Sequence, residues 1–374
     1  MLVFVSILTA CMVFYGGFVF WSGWWFERIR PNKTLPDPLL PTITILIPAR
    51  NEAEHLSRTL HSVLRQHYPL DKLEIILVND HSTDGTRAIA QLLETRHPYF
   101  KVIDLAEEEK GKKAAITRGV REATGDLILQ MDADCYVAES WAAVMASQFV
   151  GHTAMVAGPI ELTYTHHTIQ RLQAIETMGL VALAGGAIGA GRPNMVNGAN
   201  LAYTRAVFLE VNGFEGVDHV ASGDDELLMQ KIQGLGKYQI RFAKNRNAIV
   251  RTPSLSDWSS LRAQRLRWVS KARAYVNRRT NGIQLLSYLG FWTFPILLVL
   301  GFGDMNYWLW GLSLIAWKIS ADFYLMHRAA RFFSNFQLLK DFFLLELVYI
   351  PYVLWIGMAG NFVKSYNWKE RWVT

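Results

Sequence analysis

The chain has 374 residues, of which 51% are hydrophobic and only 19% charged. That balance excludes an intrinsically disordered protein and is too apolar for an ordinary soluble globule. Lys and Arg (38) exceed Asp and Glu (32), giving a net charge of +6, and the 13 Trp suit the aromatic belts of a membrane interface. Two cysteines, Cys11 and Cys135, make neither a disulfide framework nor a zinc pattern, which places the functional domain in a reducing compartment.

Residues 1–26 carry no charged side chain and are long enough to cross the hydrocarbon of a bilayer. A cleaved signal peptide would carry basic residues before a shorter apolar core. Here Arg28, Arg30 and Lys33 follow the run, and Trp21, Trp24 and Trp25 cluster at its end. The segment is read as a retained anchor whose C-terminal end lies at the cytoplasmic face. Residues 27–41, with prolines at 31, 36, 38 and 41, read as an extended linker.

From residue 42 the pattern alternates. Residues 43–48, 73–78, 101–105 and 127–131 are short apolar runs predicted as strands. Residues 52–66, 83–93 and 114–123 have helical spacing. The expected fold class is α/β, with a mostly parallel sheet and crossover helices over residues 42–250. Ligands bind such sheets at the carboxyl ends of the strands. Polar residues collect there: Arg50-Asn51-Glu52, Asn79-Asp80 and Asp132-Ala133-Asp134.

Asp132 and Asp134 offer two hard oxygen ligands, suited to Mn²⁺ or Mg²⁺ with substrate phosphate completing the shell. Asp80, at a strand tip, is placed to accept from a base ring N–H, whereas Asp84 reads mainly as a helix cap. Lys110-Gly111-Lys112-Lys113 opens a helix, where a cation and free backbone N–H groups favour phosphate. Gly223-Asp224-Asp225-Glu226 packs three acids before an apolar helical stretch; such acids are dipole partners or, when crowded, candidates for a general base. The stretch 262–279, assigned with 251–261 to amphipathic interfacial helices, has seven basic residues and no acid. It leads into a membrane segment, so anionic lipid headgroups suit it better than nucleic acid. Residues 178–191 are uncharged, rich in Gly and Ala, and too short to span; they read as a buried helix or as a membrane-skimming one.

Residues 280–363 hold the C-terminal membrane segments, with candidate spans at 280–303, 307–326 and 342–363. Asp304-Met305-Asn306 reads as a hairpin turn outside the cytoplasm, and His327, Arg328, Arg331 and Lys340 as a cytoplasmic loop. A full third crossing would leave Lys364, Lys369 and Arg371 of the 364–374 tail outside, against the positive-inside tendency, unless Pro351 marks a re-entrant segment. Lys318 and Asp322 lie four apart within one span and Glu346 within the next. They are either functional intramembrane charges or a self-satisfying pair.

Taken together, these motifs resemble those of the family 2, GT-A type membrane glycosyltransferases, over residues 44–268. Thr44-Ile45-Leu46-Ile47-Pro48-Ala49-Arg50-Asn51-Glu52 is similar to the opening strand of such enzymes. Asp80 resembles the family's base-contacting aspartate, and Gly111-Lys112 with Ala115 and Gly119 its second nucleotide stretch. Asp132 and Asp134 match the DxD, Asp224-Asp225 the catalytic ED pair, and Gln264, Arg267 and Trp268 the QxxRW. Asn79 departs from a common aspartate and Thr117 from a common asparagine.

The resemblance implies a Rossmann-like GT-A domain flanked by transmembrane helices, with Asp225 as base and Asp224 beside it. Pro48, Arg50, Glu52, Asp80, Lys112, Asp132, Gln264, Arg267 and Trp268 would contact the donor. Asp132 and Asp134 would hold the metal and Trp268 would lie on the acceptor side, while Asn197-Gly198-Ala199-Asn200, with Asn197 and Asn200 as its polar members, reads either as lining that side or as a plain turn. The resemblance further implies an inverting transfer from a nucleotide sugar, UDP preferred, by an integral membrane protein whose catalytic domain faces the cytoplasm. QxxRW occurs in ceramide glucosyltransferase-like enzymes and in processive polysaccharide synthases. One span before the domain and at most three after it favour a single transfer to a membrane lipid over polymer export. A catalytically silent nucleotide-sugar or lipid sensor is the third reading.

Overall fold

A computed structural model of the chain describes residues 1–30, 32–218, 220, 222–270, 277–360, 366–368 and 371–373. Two units emerge. One gathers Met1–Arg28, Tyr164–Ala190 and Leu255–Lys364; the other gathers Ile29–Thr163, Gly191–Ser254 and Ser365–Thr374. The helices are α1 (Leu2–Arg28), α2 (Ala53–Leu64), α3 (Thr86–Glu94), α4 (Lys112–Glu122), α5 (Trp141–Ala146), α6 (Thr168–Gly189), α7 (Arg205–Glu210), α8 (Asp224–Gly234), α9 (Trp258–Ser270), α10 (Arg278–Phe291), α11 (Thr293–Leu300), α12 (Asn306–Phe333) and α13 (Phe342–Gly360). Strands β1 (Ile43–Ala49), β2 (Leu73–Asn79), β3 (Phe100–Asp104), β4 (Leu127–Gln130), β5 (Thr153–Ala157), β6 (Ile160–Thr163), β7 (Leu201–Thr204), β8 (Gln239–Phe242) and β9 (Val250–Pro253) belong to the second unit.

Seven of these strands form one sheet in the order β3-β2-β1-β4-β7-β5-β8. Strand β7 runs against both neighbours and the other six share one direction, so the sheet is mixed and mostly parallel, as expected. β1, β2 and β4 are buried almost throughout, which is why they read as continuous apolar runs rather than alternating ones. Helix α4 packs on β1 and β2. Its Gly119 leaves room for Leu46, which a Cβ there would overlap. β6 and β9 pair separately.

The central strands separate toward their carboxyl ends. β1 pairs with β4 only as far as Leu46 opposite Gln130, but with β2 as far as Ala49 opposite Asn79. Pro48, which lacks an N–H, falls beyond the β4 ladder, where none is required. The sheet thus opens between the tips of β1 and β4, the usual position of a ligand crevice in such folds.

In the other unit, four helical stretches among the described residues are long and apolar enough to cross a membrane: Leu2–Arg28, Thr168–Gly189, Arg279–Leu300 and Phe336–Gly360. The expected span at 307–326 lies inside α12, which has 28 residues but is not one of the four. Residues 178–189 prove to be the C-terminal part of the 22-residue α6, longer than the uncharged stretch suggested. Arg171 and Glu176 interrupt the apolar run without breaking the helix because each is paired. Arg171 forks onto Asp341 at 2.9 and 3.0 Å, and Glu176 meets Arg265 at 2.5 Å.

Small residues let these helices approach: Gly186 of α6 sits against the Ser22 carbonyl of α1, and Gly16 of α1 lies beneath the Trp317 indole. Lys318 is more than a pair with Asp322. It meets Asp322 at 2.7 Å and Glu346 of α13 at 2.5 Å, and Tyr15 of α1 donates to Asp322 at 2.8 Å. α13 is continuous through Pro351. Residues 361–363 of the third expected span, 364, 365, 369, 370 and 374 of the tail, and 271–276 of the basic stretch lie outside the described residues.

At the amino ends of the central strands a buried carboxylate ties four segments together. Glu74 of β2 accepts from Thr44 Oγ1 (2.7 Å), the Thr124 backbone N–H (2.8 Å) and Lys101 Nζ (2.7 Å), and Thr44 Oγ1 accepts from Gly125 N–H (3.0 Å). Burial pushes the Glu74 carboxyl up, but Lys101, Thr124 and Thr44 outweigh it and hold it below the ordinary carboxylate value of 4.5. Stability from this network is therefore complete above pH 4.5 and is lost as pH falls through the lower folded-state value. Glu74→Gln is expected to cost about 1–3 kcal/mol at neutral pH. Thermal unfolding in detergent should also show a shallower acid decline for the variant than for the parent.

Candidate active site

The tips of β1 and β2 are built from backbone held by side chains. Asn51 and His81, each just past a strand, adopt φ of 50° and 51°, uncommon for residues with a Cβ. Asn51 Oδ1 accepts from Thr83 N–H at 2.8 Å, and Arg50, buried, donates to the carbonyls of Asp80 (2.8 Å) and His81 (3.1 Å). Arg50 thus shapes the tip where Asp80 sits. Glu52 caps α2 with its backbone carbonyl and donates its N–H to Thr86 Oγ1 at 2.7 Å. Asp84 accepts from the first residue of α2, Ala53, at 3.0 Å and from the first of α3, Thr86, at 2.9 Å. One carboxylate serves two helix starts, which extends its expected capping task. Asp80 Oδ2 accepts from Gly111 N–H at 3.0 Å, and Gly111 holds a φ of 91° that suits glycine and caps α4.

Lys112, the first residue of α4, draws the remaining acids together. Its ammonium lies 2.7 Å from Asp132 Oδ1 and 3.2 Å from Asp224 Oδ2. Burial alone would lower its pKa, but Asp132 and Asp224 outweigh that and raise it, so Lys112 is charged at neutral pH. The two acids at the start of α8 go to different partners. Asp224 Oδ2 also accepts from Gln130 Nε2 at 3.2 Å. Asp225 accepts from Gly198 N–H at 3.0 Å and Glu226 N–H at 2.7 Å, which fixes its carboxylate plane. Gly223 precedes them with a φ of 81°.

Two residues of this cluster escaped the sequence reading: Gln130 and Tyr203. Gln130, the last residue of β4, is buried, bonds Gly198 O and Asp224 through Nε2, and accepts from Tyr203 OH at 3.2 Å. A polar residue closing an apolar strand two places before an aspartate was the available signal. A Cβ on Gly198 would lie 2.9 Å from Asp224 Oδ2 and 3.1 Å from Lys112 Nζ, so glycine lets the loop touch the cluster.

The expected acceptor-side asparagines separate. Asn197 is exposed, with Oδ1 accepting from Ala199 N–H at 2.9 Å. Asn200 is fully buried; it donates to the Pro159 and Ala248 carbonyls, both at 2.8 Å, and accepts from Trp141 Nε1 at 3.1 Å. Both of its N–H groups are spent on the scaffold, so the expectation is corrected: Asn200 braces strands. Gln264, Arg267 and Trp268 lie on α9 and belong to the other unit.

Asp132 and Asp134 alternate with buried Ala133 and Cys135, leaving both carboxylates half-exposed. The turn is held by Thr59 Oγ1 donating to Ala133 O at 2.8 Å and Cys135 N–H to Asp132 O at 3.2 Å. Among the described residues no group of three or more His, Cys, Asp or Glu side chains is set to hold a metal. Two carboxylates without nitrogen or sulfur suit a hard divalent ion that takes its other ligands from water and phosphate. Burial and the two aspartates push the Cys135 thiol up, so it is not a nucleophile.

The departure at residue 79 has a local cause. Asn79 Nδ2 donates to Asp104 Oδ1 at 2.8 Å, while Arg87 forks onto the same carboxylate from Nε and Nη2. Arg87 first, with Asn79 adding to it, holds the Asp104 carboxyl below the usual range. An aspartate at 79 would set two carboxylates against each other. Asn79→Asp is expected to destabilise the protein by about 1–3 kcal/mol at neutral pH. The loss should shrink as pH falls through the carboxylate range, read by thermal unfolding.

Comparison with known proteins places this arrangement. The sequence model of glycosyl transferase family 2 matches residues 44–180, and that of glycosyl transferase family group 2 matches residues 127–326. "Probable glycosyltransferase YdaM" of Bacillus subtilis (strain 168) is 30% identical over 282 residues, covering 74% of this chain and 65% of that protein. Poly-beta-1,6-N-acetyl-D-glucosamine synthase of Staphylococcus epidermidis is 26% identical over 229 residues, 60% of this chain and 53% of that protein. The matched region thus spans less than two thirds of the length of these relatives. The solved structure of mannosyltransferase PcManGT from Pyrobaculum calidifontis in complex with GDP-Man and Mn²⁺ shares the fold, with a TM-score of 0.60 at 21% identity over 88% of this chain and 98% of that one. With more than half of its residues matched by the family group 2 model, the chain belongs to the family 2 glycosyltransferases.

Proposed function

We propose that the chain transfers one sugar from a nucleotide-sugar donor, a UDP-sugar first, to a hydroxyl of a membrane lipid, with inversion at the anomeric carbon. The observation that carries this reading is the convergence of Asp132 and Asp224 on Lys112 beside the open end of a family 2 sheet. The four apolar helices favour an acceptor that is itself a lipid, as in ceramide glucosyltransferase-like enzymes, and Arg28, Arg30 and Lys33 after the first of them favour a catalytic unit on the cytoplasmic face. Nucleic acid is not a partner in this reading.

Asp225, oriented by two backbone N–H groups, takes the proton of the acceptor hydroxyl. That oxygen attacks the anomeric carbon from the face opposite the leaving group. The bond from carbon to diphosphate oxygen breaks, and its electron pair departs with the nucleoside diphosphate. Asp224 keeps Lys112 in place beside the acids. Asp80 receives a base N–H, Pro48, Arg50 and Glu52 border the donor, and Lys112 faces the diphosphate; the family resemblance gives Gln264 and Arg267 a donor role as well. The same resemblance gives Trp268 the role of an acceptor wall, and Asn197 is assigned separately to the acceptor side. Asp132 and Asp134 would hold Mn²⁺ or Mg²⁺, which when bound offsets the negative charge of the diphosphate.

A second reading, a processive polysaccharide synthase acting with other subunits, is favoured by the 26% identity to the poly-N-acetylglucosamine synthase. One experiment separates the readings. Purified protein is incubated with UDP- and GDP-sugars and a membrane lipid extract, with Mn²⁺, with Mg²⁺ or with chelator, and products are read by mass spectrometry. A lipid heavier by one sugar, formed only with metal, is expected. A ladder of sugar increments would establish the synthase, and tight nucleotide binding without product the silent sensor. Asp225→Asn should lower turnover roughly a hundred- to ten-thousand-fold. Calorimetry should show nucleotide binding by that variant nearly unchanged, and near-normal turnover would remove Asp225 from the role of base.

A further inference from the structure

We propose that Arg265, an interior position of the Gln264-to-Trp268 motif that the motif pattern leaves open, is a positioning residue that sets both Gln264 and Trp268. The inference rests on the reading that those two residues serve in transfer. Arg265 is 5% exposed, the most enclosed cation of the described part of α9. Its guanidinium is engaged on every side. Nη2 meets Glu176 of α6 at 2.5 Å, Nε donates to Tyr352 OH of α13 at 2.9 Å, and Nη1 donates to Gln264 Oε1 at 2.9 Å. The flat face of the guanidinium covers Trp268, with Cζ 4.2 Å from the ring centroid.

The chemistry explains why arginine is required. Three nitrogens with fixed directions reach three acceptors while the plane remains free to stack, which a lysine ammonium cannot reproduce. Successive residues on a helix do not face each other, so Gln264 is reached only because the long Arg265 side chain folds back; Trp268, three residues on, lies on the same face. Glu176 and Tyr352 come from two different helices of the same unit, and both hold the guanidinium rather than the motif. Arg265 thus transfers the rigidity of α6 and α13 to two side chains whose orientation the reaction needs. The basic stretch is accordingly not a uniformly solvated face. Arg262 also turns to an aromatic ring, lying 5.4 Å from the Trp355 centroid.

The test is a mutant cycle on the full-length protein in detergent. Arg265→Lys is expected to lower acceptor kcat/KM by about tenfold or more through lost orientation, with the Kd for UDP by calorimetry raised no further than Gln264→Ala raises it. Tyr352→Phe, which removes one hydroxyl, should lower it by roughly threefold and keeps the test available if Arg265→Lys does not fold. In a Gln264→Ala/Trp268→Ala background, both substitutions should add less than about twofold, because the residues they act through are gone. If either substitution keeps its full factor in that background, Arg265 merely braces the helices and the proposal is overturned. If Gln264→Ala and Trp268→Ala impair transfer while Arg265→Lys and Tyr352→Phe do not, this proposal alone falls. If Gln264→Ala and Trp268→Ala leave transfer unchanged, the role given to the motif falls and takes the proposal with it.

Discussion

A lysine at the first position of a helix faces the positive end of the helix dipole, and a partly buried one also loses hydration. Lys112 is stable there only because Asp132 and Asp224 stand within ion-pair distance. Much of the unit's geometry answers to that requirement. Gly111 turns through a left-handed conformation to deliver the lysine, and Asp80 receives the Gly111 N–H. Gln130 ties Asp224 to the end of β4, and Gly198 has no Cβ where one would press on the ion pair. The opening of the sheet beyond Leu46 gives the cluster its space.

The apolar unit solves a related problem by different means. A charge among apolar helices is costly unless a partner of opposite sign is supplied by a neighbouring helix. Lys318 is shared between its own helix and α13, and Arg265 joins α9 to α6 and α13. Gly186 brings the backbones of α6 and α1 together, and Gly16 lets the Trp317 indole onto α1. Each pair also fixes the rotational setting of the helices it links, because a helix turned by one residue would leave a buried charge without its partner.

The legible parts of the sequence were those with local causes. β1, β2 and β4 announced themselves because strands covered on both faces are continuously apolar, and their observed limits fall within a residue or so of the expected ones. α3 begins at Thr86 rather than at residue 83 because Asp84 and Gly85 are spent on the turn that caps it. The acids at 132, 134, 224 and 225 were visible as motifs. Lys112 was read as a phosphate contact at a helix start, but its ion pairs with Asp132 and Asp224 leave no local trace in the sequence. Asn200 was misread because a buried asparagine satisfied by two carbonyls and an indole looks, in sequence, like any polar residue near a glycine. α6 was read too short because uncharged length was taken as helix length, whereas its charges are neutralised by residues far along the chain.

The reversed strand bears on the order in which the sheet can form. β7 lies between β4 and β5, yet it is made after β5, and the intervening chain builds α6 in the other unit before returning. During synthesis the parallel half, β3-β2-β1-β4, can assemble as soon as residue 130 is available. The outer edge of β4 then stays unpaired until residue 204 has been made. For that interval the Leu127–Gln130 edge, apolar but for its last residue, is open to any extended segment, and pairing with β7 closes it.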